Sequence, residues 1–580
     1  MTNIANLLTE HIDIWTAADT EKKSGRGRAS GNTGGVYGVR KLRELILELA
    51  VRGKLVAQDA DDEPASQLLK HIQAEKAKLI AEGKLKKEKP LAPISEGEKP
   101  FELPETWVWS RLAEIGSTQT GTTPSKSDLN AFGNDVPFIK PGDIYPNFVD
   151  YENEGLSKEG ALNGRVAETG SLLMVCIGTI GKCNIIERDC SFNQQINSIT
   201  PYQIDSKYLL IAARSNYFQS ECWSNSSSTT LPILNKGKWE QIGLPIPPLS
   251  EQHRIVAKVD ELMALCDQLE QQHSNAQEAH ETLVSQLLAT LTQSQNAAEF
   301  NANWQRIYAH FDVLFSTEAS IDALKQTLLQ LAVMGKLVPQ NPNDEPASEL
   351  LKRIQAEKTK LIAEGKLKKE KPLSPIDEDE KPFELPKGWE WVRLSDISTY
   401  IQYGYTDSAN QTNRDVLFLR ITDIQDDFVD WSKVPGCNST LNQVQDYLLS
   451  ENDIVIARTG GTIGKSYLVK NLTAYSIFAS YLIRIGKIES VNHKFKKLYF
   501  GSQLYWNQLY ANSMGTGQPN VNGTALKGLL FSLPPIEEQH RIVAKVDALM
   551  ALCDQLKTRI QQANQQQQAI ADALVAQAVS

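Results

Sequence analysis

The segment EQHRIVAKVD occupies residues 251–260 and returns unchanged at residues 538–547. An earlier block, residues 42–115, also returns, at residues 324–397, where about 50 of its 74 positions are identical. A repeat of this length decides the architecture of a chain. The sequence therefore predicts two nearly identical frames, each of which holds a more divergent insert, and a pseudo-two-fold molecule.

The repeated blocks predict helices. Apolar residues recur at helical spacing from Leu42, from Asp62, and over a long stretch from about Glu251 to Leu291. The later copy of this stretch runs from Glu538 to near the C-terminus and includes the tract QQANQQQQ, for which we predict helix. About 40 residues at about 1.5 Å each give a rod of about 60 Å. Because an apolar seam needs a partner, each rod is predicted to pack on the helix that opens the other copy.

The two inserts share a skeleton. QTGTTPS at 119–125 matches QYGYTDS at 402–408, and VPFIKPGDI at 136–144 matches VLFLRITDI at 416–424. GTIGK occurs in both inserts. Strand-like runs and turn signals surround these motifs. The inserts are therefore predicted to share a mixed α/β fold while differing in surface, as two recognition domains for different targets would.

Composition limits the class of protein. The chain has 580 residues, 41% hydrophobic and 22% charged, which predicts several globular domains. No apolar run is long enough to span a membrane, and the N-terminus does not resemble a secretion signal, so we expect a cytoplasmic protein. The net charge of −10 is unusual for a nucleic-acid binder. It does not exclude one, because phosphate neutralisation needs only local Lys and Arg, and partner subunits can supply more.

No motif predicts catalysis or metal binding. The seven cysteines form no CxxC pair or His-Cys cluster. TGGTIGKS at 459–466 resembles a phosphate-binding loop, but Thr459 stands where that pattern needs glycine, and a strand is predicted to follow. We therefore predict the turn of a hairpin. The acidic run at 61–63 is explained by capping of a helix start.

Taken in order, these elements resemble the specificity subunit of type I restriction-modification enzymes. The motifs that carry the resemblance are GTTPS, FIKPGDI, GTIGK, the ELPxxWxWxRL segment at 102–112 and 384–394, and PPxxEQHRIVAKVD at the end of both inserts. The resemblance covers nearly the whole chain. A basic, Gly/Ser-rich segment near 21–38 and the Gln-rich tract fall outside it. That segment is expected to be a flexible insert or a DNA contact through Lys22, Lys23, Arg26 and Arg28.

The resemblance implies an α+β chain with two globular mixed α/β target-recognition domains, separated by two long antiparallel helices that form a coiled-coil spacer. The segments are an N-terminal helical region (1–105), a first recognition domain (106–247), a central helical region (248–387), a second recognition domain (388–534) and a C-terminal helical region (535–580). We call 106–247 the first insert and 388–534 the second insert.

The resemblance also implies function. Each insert is expected to read one half of an asymmetric, bipartite site in double-stranded DNA, and the spacer is expected to set the gap. Expected partners are two methyltransferase subunits and ATP-dependent restriction/translocase subunits. The chain itself is expected to be non-catalytic and to bind no cofactor, so that S-adenosylmethionine, ATP and Mg²⁺ would be bound by the partners.

Candidate DNA contacts are polar residues on the shared skeleton of the inserts. Lys140 and Arg420 are equivalent and both basic, which favours phosphate contact over base reading. The candidates are, in the first insert, Thr123, Ser125, Lys140, Lys182, Gln194, Gln195 and Asn197, and in the second insert, Tyr405, Thr406, Arg420, Thr422, Arg458 and Lys465.

Two other classes of function compete with DNA recognition. One is a structural scaffold, in which the duplicated frames hold two protein-binding domains. The other is a self-sufficient nucleotide-driven enzyme, against which the incomplete phosphate-loop pattern speaks. Salt-sensitive DNA binding would distinguish DNA recognition from a scaffold.

Overall fold

The computed structural model describes residues 10–17, 35–83, 85, 91–125, 127–227, 231–369, 371–513 and 521–579. The four basic residues proposed for the 21–38 segment lie outside these ranges. The described chain divides into a first unit, Met1–Ala276 with Ala563–Ser580, and a second unit, Gln277–Gln562.

The frame of the first unit begins with three helices, α1 (Ile12–Ala17), α2 (Tyr37–Val51) and α3 (Ala65–Ala81). Helix α2 ends just before Gly53, which has a φ of +66°. A Cβ at Gly53 would lie 2.4 Å from the ring of Pro104, so both the backbone conformation and the close approach require glycine.

The first insert is built from short strands and helices. Its strands are β1 (Val108–Arg111), β2 (Gly116–Thr120), β3 (Phe132–Ile139), β4 (Gly155–Leu156), β5 (Val166–Ala167), β6 (Leu172–Val175), β7 (Cys183–Ile185), β8 (Cys190–Phe192), β9 (Ile196–Pro201) and β10 (Gly243–Ile246). Its helices are α4 (Lys158–Leu162), α5 (Ser206–Arg214), α6 (Asn216–Ser224) and α7 (Lys236–Trp239). Helix α8 (Leu249–Gln293) follows directly.

The second unit has a similar order of helices and strands. Its helices are α9 (Ala297–Ala309), α10 (Phe311–Leu314), α11 (Glu318–Val333), α12 (Ala347–Ala363), α13 (Leu441–Val444), α14 (His493–Tyr499), α15 (Gln503–Ser513), α16 (Gly523–Gly528) and α17 (Ile536–Val579). Its strands are β11 (Glu390–Arg393), β12 (Ile401–Tyr403), β13 (Ala409–Asn410), β14 (Leu417–Leu419), β15 (Ile424–Gln425), β16 (Phe428–Val429), β17 (Gly436–Cys437), β18 (Ile454–Ala457), β19 (Ser466–Leu468), β20 (Ser476–Phe478), β21 (Leu482–Ile485) and β22 (Leu530–Leu533).

The two inserts have the same central sheet. Its strand order is β2-β9-β6-β7 in the first insert and β12-β21-β18-β19 in the second. The register is also the same, because Thr120 pairs with Asn197 and the equivalent Tyr403 pairs with Ile483. In each insert the first and last strands pair with each other, β1 with β10 and β11 with β22. The prediction of a shared mixed α/β fold is confirmed.

The second sheets of the inserts are related but not identical. Both contain a parallel pair, β3 with β8 and β14 with β20. The order is β4-β3-β8-β5 in the first insert and β13-β17-β14-β20 in the second. The inserts therefore share three adjacent strands, β4-β3-β8 and β17-β14-β20, and differ in the edge to which a fourth strand is added.

The two long helices confirm the predicted rods, although each is somewhat longer than predicted. Helices α8 and α17 contain 45 and 44 residues, about 66 to 68 Å of helix at about 1.5 Å per residue. The Gln-rich tract lies inside α17 and is helical, as predicted.

The end of each long helix packs on the helix that opens the other copy of the repeat, as predicted. In the first unit, Ala571 and Ala578 of α17 join the apolar cluster of α2, and Tyr37 donates a hydrogen bond to Asp572 at 2.8 Å. In the second unit, residues of the end of α8 are buried with residues of α11; these are Val284, Leu288, Leu291, Ile321 and Leu324.

The loop that resembles a phosphate-binding loop is the turn of a hairpin, as predicted. Strand β18 precedes it, and β19 returns antiparallel to β18, with Ile456 opposite Ser466. The equivalent loop of the first insert joins β6 to β7 in the same way. None of the helices in the described ranges is both long enough and apolar enough to cross a membrane.

The explanation of the acidic run at 61–63 by helix capping is wrong for Asp62. Helix α3 begins at Ala65, and no side chain caps its N-terminus. Asp62 instead accepts hydrogen bonds from both terminal nitrogens of the Arg254 guanidinium, at 3.2 and 2.6 Å. Arg541 and Asp344 repeat this pair at 3.3 and 2.6 Å. The bonded partner of Asp62 is therefore 192 residues away in sequence and not in the adjacent helix.

Candidate nucleic-acid interface

The EQHRIVAKVD motif, which follows each insert, forms hydrogen bonds to the start of that insert and to the helical frame. In the first unit the carboxylate of Glu251 accepts hydrogen bonds from the indole N–H of Trp107 at 2.9 Å and from the amide of Gln58 at 2.7 Å. Burial raises the pKa of the Glu251 carboxyl, while these two hydrogen bonds oppose the rise. The second unit repeats the arrangement with Glu538, Trp389 and Gln340.

The next residue of the motif fixes a helix of the insert. The side chain of Gln252 is fully buried, accepts a hydrogen bond from the backbone N–H of Asp205 at 2.9 Å and donates one to the carbonyl of Pro247. Asp205 caps the N-terminus of α5. Gln539 makes the same contacts to Asn492 and Pro534. The repeated motif thus holds both inserts through equivalent contacts. We call the contacts of Glu251 and Gln252, and those of Glu538 and Gln539, the joints of the two inserts.

A tight backbone crossing places the candidate loop 121–125 beside strand β9. A Cβ at Gly121 would lie 2.2 Å from the carbonyl oxygen of Asn193, so only glycine allows the approach. Thr123 donates a hydrogen bond to the exposed Gln194, which brings these two candidates together. Ser125 is exposed and bonds to Ser127 at 2.7 Å. Three polar candidates thus lie along one exposed edge of the first insert.

The equivalent crossing in the second insert is at Gly404, where a Cβ would lie 2.2 Å from the carbonyl oxygen of Ala479. It places Tyr405 against Tyr447, with ring centroids 5.1 Å apart, and leaves Thr406 exposed. Thr422 is also exposed, in the short turn that precedes β15.

Asn197 requires a correction. Its side chain is only 2% exposed, because it points into the central sheet from β9. The side chain accepts a hydrogen bond from Thr120 at 2.8 Å and donates one to the Sγ of Cys176 at 3.2 Å. It therefore supports its neighbours and does not present an amide to a DNA groove. Gln195 is half-buried and accepts a hydrogen bond from Asn193 at 3.2 Å.

Lys140 and Arg420 occupy equivalent turns. The backbone N–H of Lys140 donates to Asp143 at 2.7 Å, and that of Arg420 donates to Asp423 at 2.8 Å. Their side chains are engaged differently. Lys140 forms an ion pair with Glu154, whereas the Arg420 guanidinium makes two hydrogen bonds to Asp423, at 3.0 and 2.7 Å. The pair with Asp423 raises the pKa of Arg420.

Lys182 and Lys465 lie in the equivalent GTIGK turns but differ in environment. Lys182 donates to the carbonyl of Pro141 at 2.7 Å and lies 5.5 Å from the ring centroid of Tyr145. Burial lowers the pKa of Lys182. Lys465 is exposed.

The chain matches one family of sequence models twice. The model is that of the type I restriction modification DNA specificity domain, and it matches residues 104–278 and 386–565. The chain belongs to this family. Each matched segment contains one insert, its joint and the first part of the long helix that follows.

Two curated relatives match this specificity subunit over essentially their whole length. The type I restriction enzyme EcoAI specificity subunit of Escherichia coli is 41% identical, with 100% of both chains covered. The EcoEI specificity subunit of Escherichia coli is 40% identical, with 98% of this chain and 99% of that chain covered. A chain from a solved type I R-M system aligns with 83% of this chain and 99% of its own, at 16% identity and a TM-score of 0.46.

Specificity subunits are the non-catalytic, DNA-recognition component of type I systems, and the cysteines of this one are in keeping with a structural role. All seven are buried and unpaired. Burial raises the pKa of Cys176 to about 12 and that of Cys183 to about 11, which keeps both thiols protonated and unreactive. Within the described ranges, no three His, Cys, Asp or Glu side chains are grouped so that they could hold a metal ion.

The specificity subunit also has functional candidates that sequence reasoning missed. Tyr403 and Tyr481 lie at the edge of the central sheet of the second insert and are 40% and 62% exposed. The guanidinium carbon of Arg458 lies 4.8 Å from the ring centroid of Tyr403. The available signal was an aromatic residue at a skeleton position where the first insert has a polar one, Thr120 or Gln195.

Proposed function

We propose that this specificity subunit reads an asymmetric, bipartite site in double-stranded DNA, with one half-site contacted by the first insert and the other by the second. The observation that carries the proposal is the contrast between the inserts. Equivalent joints and the same central sheet hold both of them, yet their exposed edges differ in chemistry. A shared skeleton with different surface residues is what two readers of unlike sequences need.

The candidate residues divide into two kinds. Lys140 and Arg420 are basic in both inserts, so they suit contacts to phosphates, which carry no sequence information. The other polar side chains suit base edges in the major groove. These are Thr123, Ser125, Lys182, Gln194 and Gln195 in the first insert, and Tyr405, Thr406, Thr422, Arg458 and Lys465 in the second.

The proposed partners are the catalytic subunits that the family resemblance implies. It docks two methyltransferase subunits, which bind S-adenosylmethionine and modify adenine, and restriction/translocase subunits, which use ATP and Mg²⁺. The recognition domains extend over 106–247 and 388–534, and the long helices α8 and α17 set the gap between the half-sites. Half-sites one turn apart are about 34 Å apart on B-DNA. The complex works in the cytoplasm, where it meets the DNA.

The test is modified-base sequencing of genomic DNA from cells that carry this gene and its partner methyltransferase, compared with cells that lack only this gene. We expect a bipartite methyladenine motif, with two unlike half-sites and a fixed gap, that disappears with the gene. An unchanged methylation pattern, with the methyltransferase present and active, would contradict the proposal and favour a scaffold for protein partners.

A further inference from the structure

Arg458 of the second insert occupies the same place in the fold as Cys176 of the first. The backbone N–H of Cys176 donates to the carbonyl of Gln195 at 2.8 Å, and that of Arg458 donates to the carbonyl of Tyr481 at 2.9 Å. In turn, the carbonyl of Cys176 accepts from the N–H of Leu234, and that of Arg458 accepts from Val521. These matched bonds make the equivalence independent of sequence alignment, which shows no similarity at this position.

The side chains at this position differ in charge and in burial between the two inserts. In the first insert it is neutral and closed, since Cys176 is buried and Asn197 links it to Thr120. In the second insert the residues equivalent to Cys176 and Thr120 are Arg458 and Tyr403, a cation on an aromatic ring. The two inserts therefore differ here in charge and in shape.

The arginine of the second insert rests on a ring that is itself held in place. The Tyr403 hydroxyl accepts a hydrogen bond from the backbone N–H of Gly523 at 2.8 Å, and its strand β12 pairs with β21. Directly after Tyr403, Gly404 allows the close crossing described above. With the ring fixed at both its backbone and its hydroxyl, a guanidinium in cation–π contact with it loses less conformational freedom when it binds.

We propose that Arg458 reads a guanine in the half-site of the second insert, with Tyr403 as the residue that positions its guanidinium. The inference rests on the proposed function and deepens it. A planar guanidinium donates two parallel hydrogen bonds to O6 and N7 of guanine, a pairing that identifies a G·C base pair in the major groove. Tyr481, 62% exposed beside it, adds an aromatic surface at the same edge.

The guanidinium carbon of Arg458 lies 4.8 Å from the ring centroid of Tyr403, within the range of a cation–π contact, so the ring helps to position the guanidinium.

The test uses the assembled methyltransferase complex and sequencing of the sites it methylates. Arg458→Gln removes the charge and the fork, and Arg458→Lys keeps the charge without the fork. The matched control is Arg188→Gln in the first insert, where an exposed arginine lies 4.5 Å from the ring centroid of Tyr151 and pairs with Glu152. Assembly of each complex is checked by size-exclusion chromatography.

Both Arg458 variants are expected to relax one G·C position in one half-site only, so that discrimination against other bases there falls by about 5- to 150-fold. Arg188→Gln is expected to keep the wild-type motif. If Arg458→Gln does not assemble, Arg458→Lys decides. An unchanged motif, a uniform loss of affinity over all sequences, or relaxation at an A·T position overturns the inference. Absence of a bipartite motif for the wild-type complex would refute the proposed function itself.

Discussion

Glu251 and Trp107 are joined by a buried hydrogen bond of 2.9 Å, and the same bond, at 3.0 Å, joins Glu538 to Trp389. In each unit the tryptophan lies where the insert begins and the glutamate where it ends. The bond therefore closes the base of the insert. The two inserts share this hydrogen bond but differ at their exposed edges. The bond therefore serves to hold each insert on its frame, and the exposed loops are the parts proposed to recognise DNA.

We expect Glu251→Ala to lower the free energy of unfolding of the first unit by about 1–3 kcal/mol, because it leaves the indole N–H of Trp107 and the amide of Gln58 without their buried acceptor. Chemical denaturation followed by tryptophan fluorescence measures the change. Glu261→Ala is the control, since Glu261 is exposed and pairs with Lys258 on the same helix. Equal effects of the two variants would show that the closure does not stabilise the unit.

The end of α17 is expected to be essential to the stability of the first unit. Ala571 is fully buried in its apolar cluster, so Ala571→Asp places a carboxylate among apolar side chains and should cost about 3 kcal/mol or more. Ala573→Asp, two residues further along and exposed, should change stability by no more than about 0.5 kcal/mol. Thermal unfolding and limited proteolysis compare the two. Similar melting temperatures would mean that α17 does not pack on α2 in solution.

Lys496 is expected to make the second unit less stable at neutral than at alkaline pH. Its amine is fully buried, donates to the carbonyls of Ile397 and Gly486, and has its pKa lowered by burial to about 7. Between pH 7 and about 10.5 the unfolded chain holds more protons at this lysine than the folded chain does, so stability from this group rises with pH. Below pH 7 both states are protonated and the destabilisation is complete.

The variant that tests this is Lys496→Leu, because the equivalent residue of the first insert is the buried Leu209. Both residues are the fourth after the helix cap, Asn492 or Asp205. The stability of the variant relative to wild type is expected to fall as pH rises from 7 to 10. A difference that does not vary with pH would indicate a lysine of ordinary pKa.

Lys140→Ala and Arg420→Ala are each expected to weaken DNA binding for all sequences alike and to leave the methylation motif unchanged. Removal of one phosphate contact should reduce the slope of log affinity against log salt by about 1. Affinity measured over a series of salt concentrations with the assembled complex tests this. Lys258→Ala on α8 is the control. A variant whose motif relaxes at a single base pair would instead identify a base contact.

Local signals were sufficient to predict much of the fold. Helix periodicity predicted α8 and α17, including the Gln-rich tract, and the missing glycine at Thr459 identified the hairpin between β18 and β19. Asp62 was misinterpreted because its partner Arg254 is distant in sequence, and capping is the only role that neighbouring residues suggest. A long-range ion pair leaves no trace in local composition.

The candidate interface was less predictable, because exposure depends on where each strand begins as well as on which face of it a residue occupies. Asn197 and Gln195 lie two positions apart, yet the first is buried in the sheet and the second lies just before β9 begins. The role of Arg458 could not be inferred from alignment, since its counterpart Cys176 shares no chemistry with it. Only the matched backbone hydrogen bonds show that the two residues occupy the same place.

The duplicated joints also bear on how such a gene changes over time. The amino-acid sequence of residues 42–115 and 251–260 is followed by a near copy of itself, so each insert is flanked by repeated segments. An exchange between two alleles at these points would carry an entire insert as a cassette. Because Glu251 and Trp107 lie at the two ends of the insert, an exchanged insert would form the same contacts with the frame. A bacterium could thus acquire a new specificity in one step, without a period in which the protein fails to fold.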